Sequence, residues 1–313
     1  LSPAAMSRRL GNWFQVHLGV VTGIVMAASG VGGSALGLVL SGIMESAGWR
    51  ASRLFAAGLL AAVAVMIFFV MKDRPEELGL QPYHDPERRG AAHKPKKVAA
   101  PWAGVPMQVL LKKPYFYLTM IGMMLATIAS NGVYSAVVPH LQDRGLSAAY
   151  AAKMLSLMLV LLAVDKIVLG MLADRFGAHF STLLCVLFTF SGIVVLTLVK
   201  NEWQAVIAVV LLSVSVCLNG FIQPLLAAEI FGRSAYNTTL GIMMAMLSVG
   251  GLLSSPLVNF SFDATGSYTR ILIVLAVIAA VDALFLLPAF HAEAKYRREL
   301  EASGQLSDAG SET

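Results

Sequence analysis

Asp165 and Lys166 stand side by side inside an apolar run, with Leu161–Val164 before them and Ile167–Met171 after. A lone Lys or Asp at the middle of a membrane helix costs about 2.5–3.5 kcal/mol on insertion scales. Each therefore needs a pocket, water or a partner. They cannot simply neutralise each other, because adjacent helix positions point about 100° apart. Lys166 offers a flexible point charge suited to anion capture, not the bidentate fork of an arginine. The plainer alternatives are an ion pair with another helix or a lysine snorkelling toward the interface.

Other polar residues recur at helical spacing. Thr127, Ser130, Asn131, Tyr134 and Ser135 follow one helix face, Ser215, Asn219 and Gln223 fall at intervals of four, and Ser248, Ser255 and Asn259 mark a third apolar stretch. A continuous polar face in lipid must look inward, where it lines a cavity or makes interhelical hydrogen bonds. Gly30, Gly32, Gly33, Gly37, Gly250 and Gly251 read as close-packing positions, since no phosphate-loop Lys-Ser/Thr follows them. Pro224 and Pro256 read as kinks, His140 and Gln142 as solvated residues at a helix mouth, and Asp282 has no assigned role. No His/Cys/carboxylate cluster has metal spacing and no Ser/His/Asp set suggests hydrolysis, so the sequence points to no metal, no cofactor and no enzyme.

The elements that must hold these residues are membrane helices. The 313 residues are 57% hydrophobic and 13% charged, with mean hydropathy +0.73, about half the charge of a soluble domain. Windows of about 20 apolar residues fall at Gly19–Met44, Ser52–Met71, Phe116–Pro139, Ala149–Leu172, Phe180–Val199, Gln204–Phe231, Leu240–Phe260 and Ile271–Leu287, eight spans in all. Most connections are short. Residues 72–114, rich in Pro, Gly and charge, form a linker between two bundles. Arg8, Arg9, the basic linker, Arg175, Arg233, Lys295, Arg297 and Arg298 share one side, so both termini and the linker are expected to be cytoplasmic. The net charge of +5 follows this topology, and no basic segment interleaves with aromatics as nucleic-acid binding would require. Cys185 and Cys217 lie in apolar stretches, which argues against a disulfide framework.

Gly170-Met171-Leu172-Ala173-Asp174-Arg175-Phe176-Gly177 resembles the loop signature of the major facilitator superfamily, G-x-L-A-D-R-x-G. Asn12-Trp13-Phe14 with Gly48-Trp49-Arg50, the run from Arg74 to Pro82, and Phe262 to Tyr268 resemble the branch of that family containing monocarboxylate transporters and oxalate:formate exchangers. The likeness runs from about Gly11 to Phe290.

The resemblance implies an all-α membrane protein of the major facilitator fold with eight of twelve transmembrane helices. Residues 1–71 would be the remnant of an N-terminal bundle, with Leu1–Leu10 the tail of the fourth family helix. Residues 72–114 would be the central linker, 115–290 a C-terminal six-helix bundle, and 291–313 a cytoplasmic tail. A truncated gene model, a partial sequence or a remnant would explain this register; a genuine eight-span protein is the alternative. The implied function is secondary transport of a small organic anion, foremost a monocarboxylate, across a bacterial inner membrane, with protons as a candidate co-substrate. Relatives hold the substrate carboxylate with an Arg four residues before the signature glycine, which makes Lys166 the anion anchor. Asp165, Asn131, Tyr134, Asn219 and Gln223 would complete the substrate site. Animal relatives place an Asp four residues before that Arg, whereas Asp165 directly precedes Lys166. Oxalate exchangers use a second cation in the helix corresponding to Leu240–Phe260, which here has none and so suits a monoanion. Gly170, Asp174, Arg175 and Gly177 would form the gating latch. The competing expectation is a non-transporting remnant or a membrane-embedded interaction partner.

Overall fold

The computed structural model describes Leu10, Trp13, Phe14, residues 18–70, Pro75, Gly79 and residues 104–302. Most of the central linker and of Leu1–Leu10, Asn12, the 74–82 signature apart from Pro75 and Gly79, and residues 303–313 lie outside the described residues.

Among the described residues the chain folds as helices: α1 (Leu18–Val70), α2 (Met107–Leu110), α3 (Pro114–Asp143), α4 (Ala148–Phe176), α5 (Ala178–Thr197), α6 (Glu202–Val216), α7 (Ile222–Thr265) and α8 (Tyr268–Ala302). Non-helical glycines interrupt two of them, Gly48 (φ 81°) in α1 and Gly232 (φ 71°) in α7. Among the described residues six stretches are long and apolar enough to cross a membrane: Ser46–Phe69, Pro114–Asp143, Ala148–Phe176, Ala178–Thr197, Ser234–Thr265 and Tyr268–Leu300. Two shorter apolar helices, Glu202–Val216 and Ile222–Gly232, accompany them.

The expected continuous span over Gln204–Phe231 is instead broken by turns at residues 217–221. Pro224 supplies the physical reason. It has no N–H to give the carbonyl four residues back, and its ring crowds that carbonyl, so the helix cannot run through. As the third residue of α7 it occupies a first turn, where the missing donor has no cost. Pro224 therefore starts a helix and does not kink one. Gly220 takes φ 89° in the turn, a left-handed conformation that glycine adopts without strain.

Two apolar cores hold helices α3–α8 together. One joins Leu110, Tyr115, Phe116, Met123, Phe221, Ile222, Phe231 and Leu286. The other joins Val133, Val137, Leu141, Met158, Leu196, Leu212 and Leu275. Gly250 of α7 lies so close to α3 that a methyl group there would sit 2.9 Å from the Met124 carbonyl oxygen, in keeping with close packing at that pair. The outer faces are apolar and exposed, most of all beyond Gly48 in α1, where Leu54 is 74% and Phe68 80% exposed.

The first limb of α1 lies along α4. A methyl group on Gly23 would come within 2.5 Å of the Lys166 carbonyl oxygen and 3.1 Å of the Ile167 Cα. The two backbones therefore meet almost directly, as small residues permit between membrane helices.

Candidate functional site

A polar layer joins α3 to the helix break, whose apolar residues Cys217, Leu218 and Phe221 pack in the first core. Ser130 Oγ of α3 donates to the Ser215 carbonyl at 2.9 Å. Asn219, in the turn between α6 and α7, donates from Nδ2 to Ser130 Oγ at 3.1 Å and to Asn131 Oδ1 at 3.0 Å. Two of the polar stripes seen in the sequence thus meet each other. Asn219 Oδ1 is buried and has no hydrogen-bond partner, leaving an acceptor facing this layer. Tyr134 packs beside the second core, one turn along α3 from Asn131.

Gln223 is fully buried and uses both ends of its amide on the break. Its Oε1 accepts from the Gly220 amide and its Nε2 donates to the Leu218 carbonyl. In lipid an unsatisfied backbone group costs several kcal/mol, so this side chain makes the interruption affordable. Thr127 Oγ1 donates back to the Met123 carbonyl at 2.8 Å, and Ser135 Oγ to the Asn131 carbonyl at 3.0 Å. In the third stripe, Ser248, Ser255 and Asn259 are exposed on this chain.

Asp165 and Lys166 diverge as their helical positions require. Lys166 Nζ crosses to α1 and donates to the Met26 carbonyl at 3.1 Å. Asp165 turns toward the Ser213 hydroxyl of α6, whose own proton goes to the Val210 carbonyl at 2.8 Å. Asp165 Oδ2 is buried without a hydrogen-bond partner. Both residues lie within electrostatic reach of Cys217, at the start of the break. The structure therefore brings Asp165, Lys166 and the break to one region, with Lys166 on the α1 side.

The loop signature closes α4. Gly170 is buried, and Gly177 ends the helix with φ 91°. Asp174 Oδ2 accepts from the Val20 amide in the first turn of α1 at 3.0 Å. Carboxylates are favoured at that helix end, where unpaired N–H groups carry positive partial charge. Arg175 is exposed and lies over the Phe176 ring, 5.2 Å from its centroid and within the reach of about 6 Å for a cation–π contact.

Three ionisable residues beside this loop were not singled out from the sequence. Glu229, on the short limb Ile222–Gly232, accepts from the Ala178 amide at the start of α5 and pairs with His179 Nδ1. On the opposite edge of that ring, His179 Nε2 faces Glu293 Oε2 of α8 at 3.6 Å. The His179 ring also packs edge-on against Phe290, with centroids 4.5 Å apart. The signal available was Glu229 itself, a carboxylate within an apolar run. At the other end of the bundle His140 is buried, not solvated, with Nε2 at 3.1 Å from the Leu196 carbonyl. Arg144 donates to the Thr197 carbonyl at 2.8 Å and to Thr269 Oγ1 at 3.2 Å, tying α3 to α5 and α8. Among the described residues no group of three or more His, Cys, Asp or Glu could hold a metal ion.

Comparison with known proteins matches this architecture to transporters. The chain is 26% identical over 287 residues to "Monocarboxylate transporter 12" of Rattus norvegicus, covering 83% of this chain and 57% of that protein. It is 25% identical over 292 residues to "Monocarboxylate transporter 13" of the same species, covering 90% and 62%. "MFS transporter asaE" of Aspergillus flavus is 23% identical over 286 residues, covering 88% and 59%. The chain thus spans a little over half the length of the curated relatives it matches. The crystal structure of the Major Facilitator Superfamily transporter FucP in the outward conformation superposes with a TM-score of 0.53 at 15% identity, over 77% of this chain and 54% of FucP, which speaks to fold alone. The profile of the Major Facilitator Superfamily matches residues 1–228 and 166–309, together nearly the whole length; this integral membrane chain belongs to the Major Facilitator Superfamily, a family of transporters and not of enzymes.

Proposed function

We propose that the chain forms the greater part of a secondary transporter for a small organic anion, foremost a monocarboxylate, working by alternating access. The observation that carries this reading is the Lys166 ammonium, half-buried inside α4 and directed across the α1–α4 contact to a backbone carbonyl. A lysine has three donors, so two remain for a carboxylate entering the polar layer. The names of the relatives in the monocarboxylate transporters support the substrate class. Asn131, Tyr134 and Asn219 would shape the pocket, with Gln223 acting on it through the break that it caps.

Protons fit the same site. Asp165 has a buried oxygen without a donor, and in its protonated form it would donate to the Ser213 hydroxyl oxygen. Asp174 at the first turn of α1, with Gly170, Arg175 and Gly177, would form a latch that opens as the two bundles rock. In this reading the fold is eight of twelve family spans. Residues 1–71 belong to an N-terminal bundle, 72–114 to the linker, 115–290 to a six-helix bundle and 291–313 to a tail. Both termini face the cytoplasm of a bacterial cell, with the spans in its inner membrane.

The test is uptake of radiolabelled monocarboxylates by the protein in proteoliposomes. Lys166→Ala should lower uptake by about tenfold or more, the effect of losing one hydrogen bond to a charged group; unchanged flux would remove Lys166 from the site. A second reading is that residues 1–313 by themselves are a non-transporting remnant or an interaction partner. Uptake by a form extended to the relatives' length, with none by this chain, would select it.

A further inference from the structure

We propose that His179, held between Glu229 and Glu293, is a proton-operated catch that fixes the short limb Ile222–Gly232, and through it the helix break, against α5 and α8. Three elements meet at one imidazole. Glu229 comes from the limb that begins directly after the break, His179 from the first turn of α5, and Glu293 from the last part of α8. The limb is only about three turns long, so a restraint at Glu229 is transmitted to Asn219 through a stiff helix.

The geometry points to a proton between His179 and Glu293, since Nε2 has no hydrogen-bond partner and faces that carboxylate. Nδ1 faces a Glu229 carboxylate oxygen and must be the donor there. In a neutral imidazole Nε2 is then a bare lone pair, and it faces Glu293 Oε2 at 3.6 Å. Two acceptors cannot attract at that distance. A proton taken from water onto Nε2 makes the ring an imidazolium that attracts both carboxylates, and the catch closes. Loss of that proton sets the lone pair against Glu293, and the catch opens. Glu293 is 4% exposed and its Oε1 has no hydrogen-bond partner, and His179 and Arg297 both act on it as cations.

The other charged groups around the ring are accounted for. Arg297 lies near Glu293, one turn further along α8. On α3, Tyr115 is close to Glu293 and Tyr296. Lys113, before α3, stacks over the Tyr296 ring at 3.8 Å. From α4, Asp174 is turned to the Val20 amide and Arg175 to Phe176. His291, on α8, bonds through Nδ1 to its own helix at the Leu287 carbonyl.

Cys217 reports on the break, being buried and free at its first residue. The experiment is labelling of Cys217 by a small maleimide in proteoliposomes permeable to protons, between about pH 5.5 and about pH 8.5. Peptide mass spectrometry separates Cys217 from Cys185. Each rate is divided by that of Glu293→Gln at the same pH, which cancels thiol ionisation; its amide can donate to Nε2 and keeps the catch closed throughout. The wild-type ratio should rise about fivefold across the range, the upper scale of one lost ion pair. His179→Gln should show no such rise. A wild-type ratio that stays constant, or a His179→Gln protein that keeps the rise, overturns the proposal. Should Glu293→Gln fail to fold, the wild-type to His179→Gln ratio decides it in the same way. The assay reads no flux, so failure of the transport reading and failure of the catch are separate results.

Discussion

Asp174 Oδ2 accepts the Val20 amide at 3.0 Å, joining the end of α4 to the first turn of α1. A carboxylate acting as a helix cap contributes about 1 kcal/mol, of which the charge–dipole part is about 0.3–1 kcal/mol. Asp174→Ala should therefore loosen the α1–α4 contact by about fivefold, and Asp174→Asn, which keeps an acceptor, by less. The check is thiol labelling of Ala27→Cys, a position buried in the first limb of α1. The labelling rate should rise in the order wild type, Asn, Ala.

Gly23 governs the same contact further along. An added methyl would meet the Lys166 carbonyl oxygen at 2.5 Å, and backbone gives way less readily than a side chain. Gly23→Ala should destabilise the protein by about 1–3 kcal/mol, the usual range for overpacking, and lower the Tm of the detergent-purified protein. Lys166→Met should add little in the Gly23→Ala background, because both changes disrupt one contact and their effects overlap. Full additivity would show that the two are independent.

Part of this arrangement is legible in the sequence. Six of the eight apolar windows coincide with membrane-length helices among the described residues, and Gly19–Met44 and Gln204–Phe231 do not, because lipid imposes length and composition together. The polar stripes marked by Ser130, Asn131, Ser215 and Asn219 come together, because a polar face in an apolar helix has few places to go. The break at 217–221 is hidden, since Cys217, Leu218 and Phe221 are as apolar as the helices on either side. Only Pro224 marks it, and a proline alone does not distinguish a kink from a helix start. His140 looked like a residue at a helix mouth because its neighbours Gln142, Asp143 and Arg144 are polar. It is buried because α5 ends beside it and offers the Leu196 carbonyl. The His179–Glu229–Glu293 cluster joins positions 50 or more residues apart, and no local spacing foretells it.

Gln223 tests whether the break is a built feature. Its amide serves the Gly220 N–H and the Leu218 carbonyl. Gln223→Leu leaves both without partners in an apolar setting, at about 1–3 kcal/mol for each buried group. The Tm should fall and Cys217 labelling should rise. Gln223→Glu keeps the acceptor and loses the donor, so it should fall between wild type and Leu. Wild-type stability in Gln223→Leu would mean that water or rearranged backbone satisfies the turn instead.

Asp282 presents the opposite situation, a polar group whose removal should help. It is 1% exposed on α8, and its Oδ1 has no hydrogen-bond partner. Its neighbour across the α3–α8 seam is Gly122, where an added methyl would stand 3.2 Å from that oxygen. A buried polar group without a partner costs about 1–3 kcal/mol on protein mutational scales. Asp282→Val, which fills the same space with apolar atoms, should therefore raise the Tm, and Asp282→Asn should change it little because an amide meets the same shortage of partners. Uptake in proteoliposomes should be the same for all three if the carboxyl has no part in the cycle. A Val variant that is more stable yet loses transport would place a proton-carrying group in the α3–α8 seam, away from Lys166.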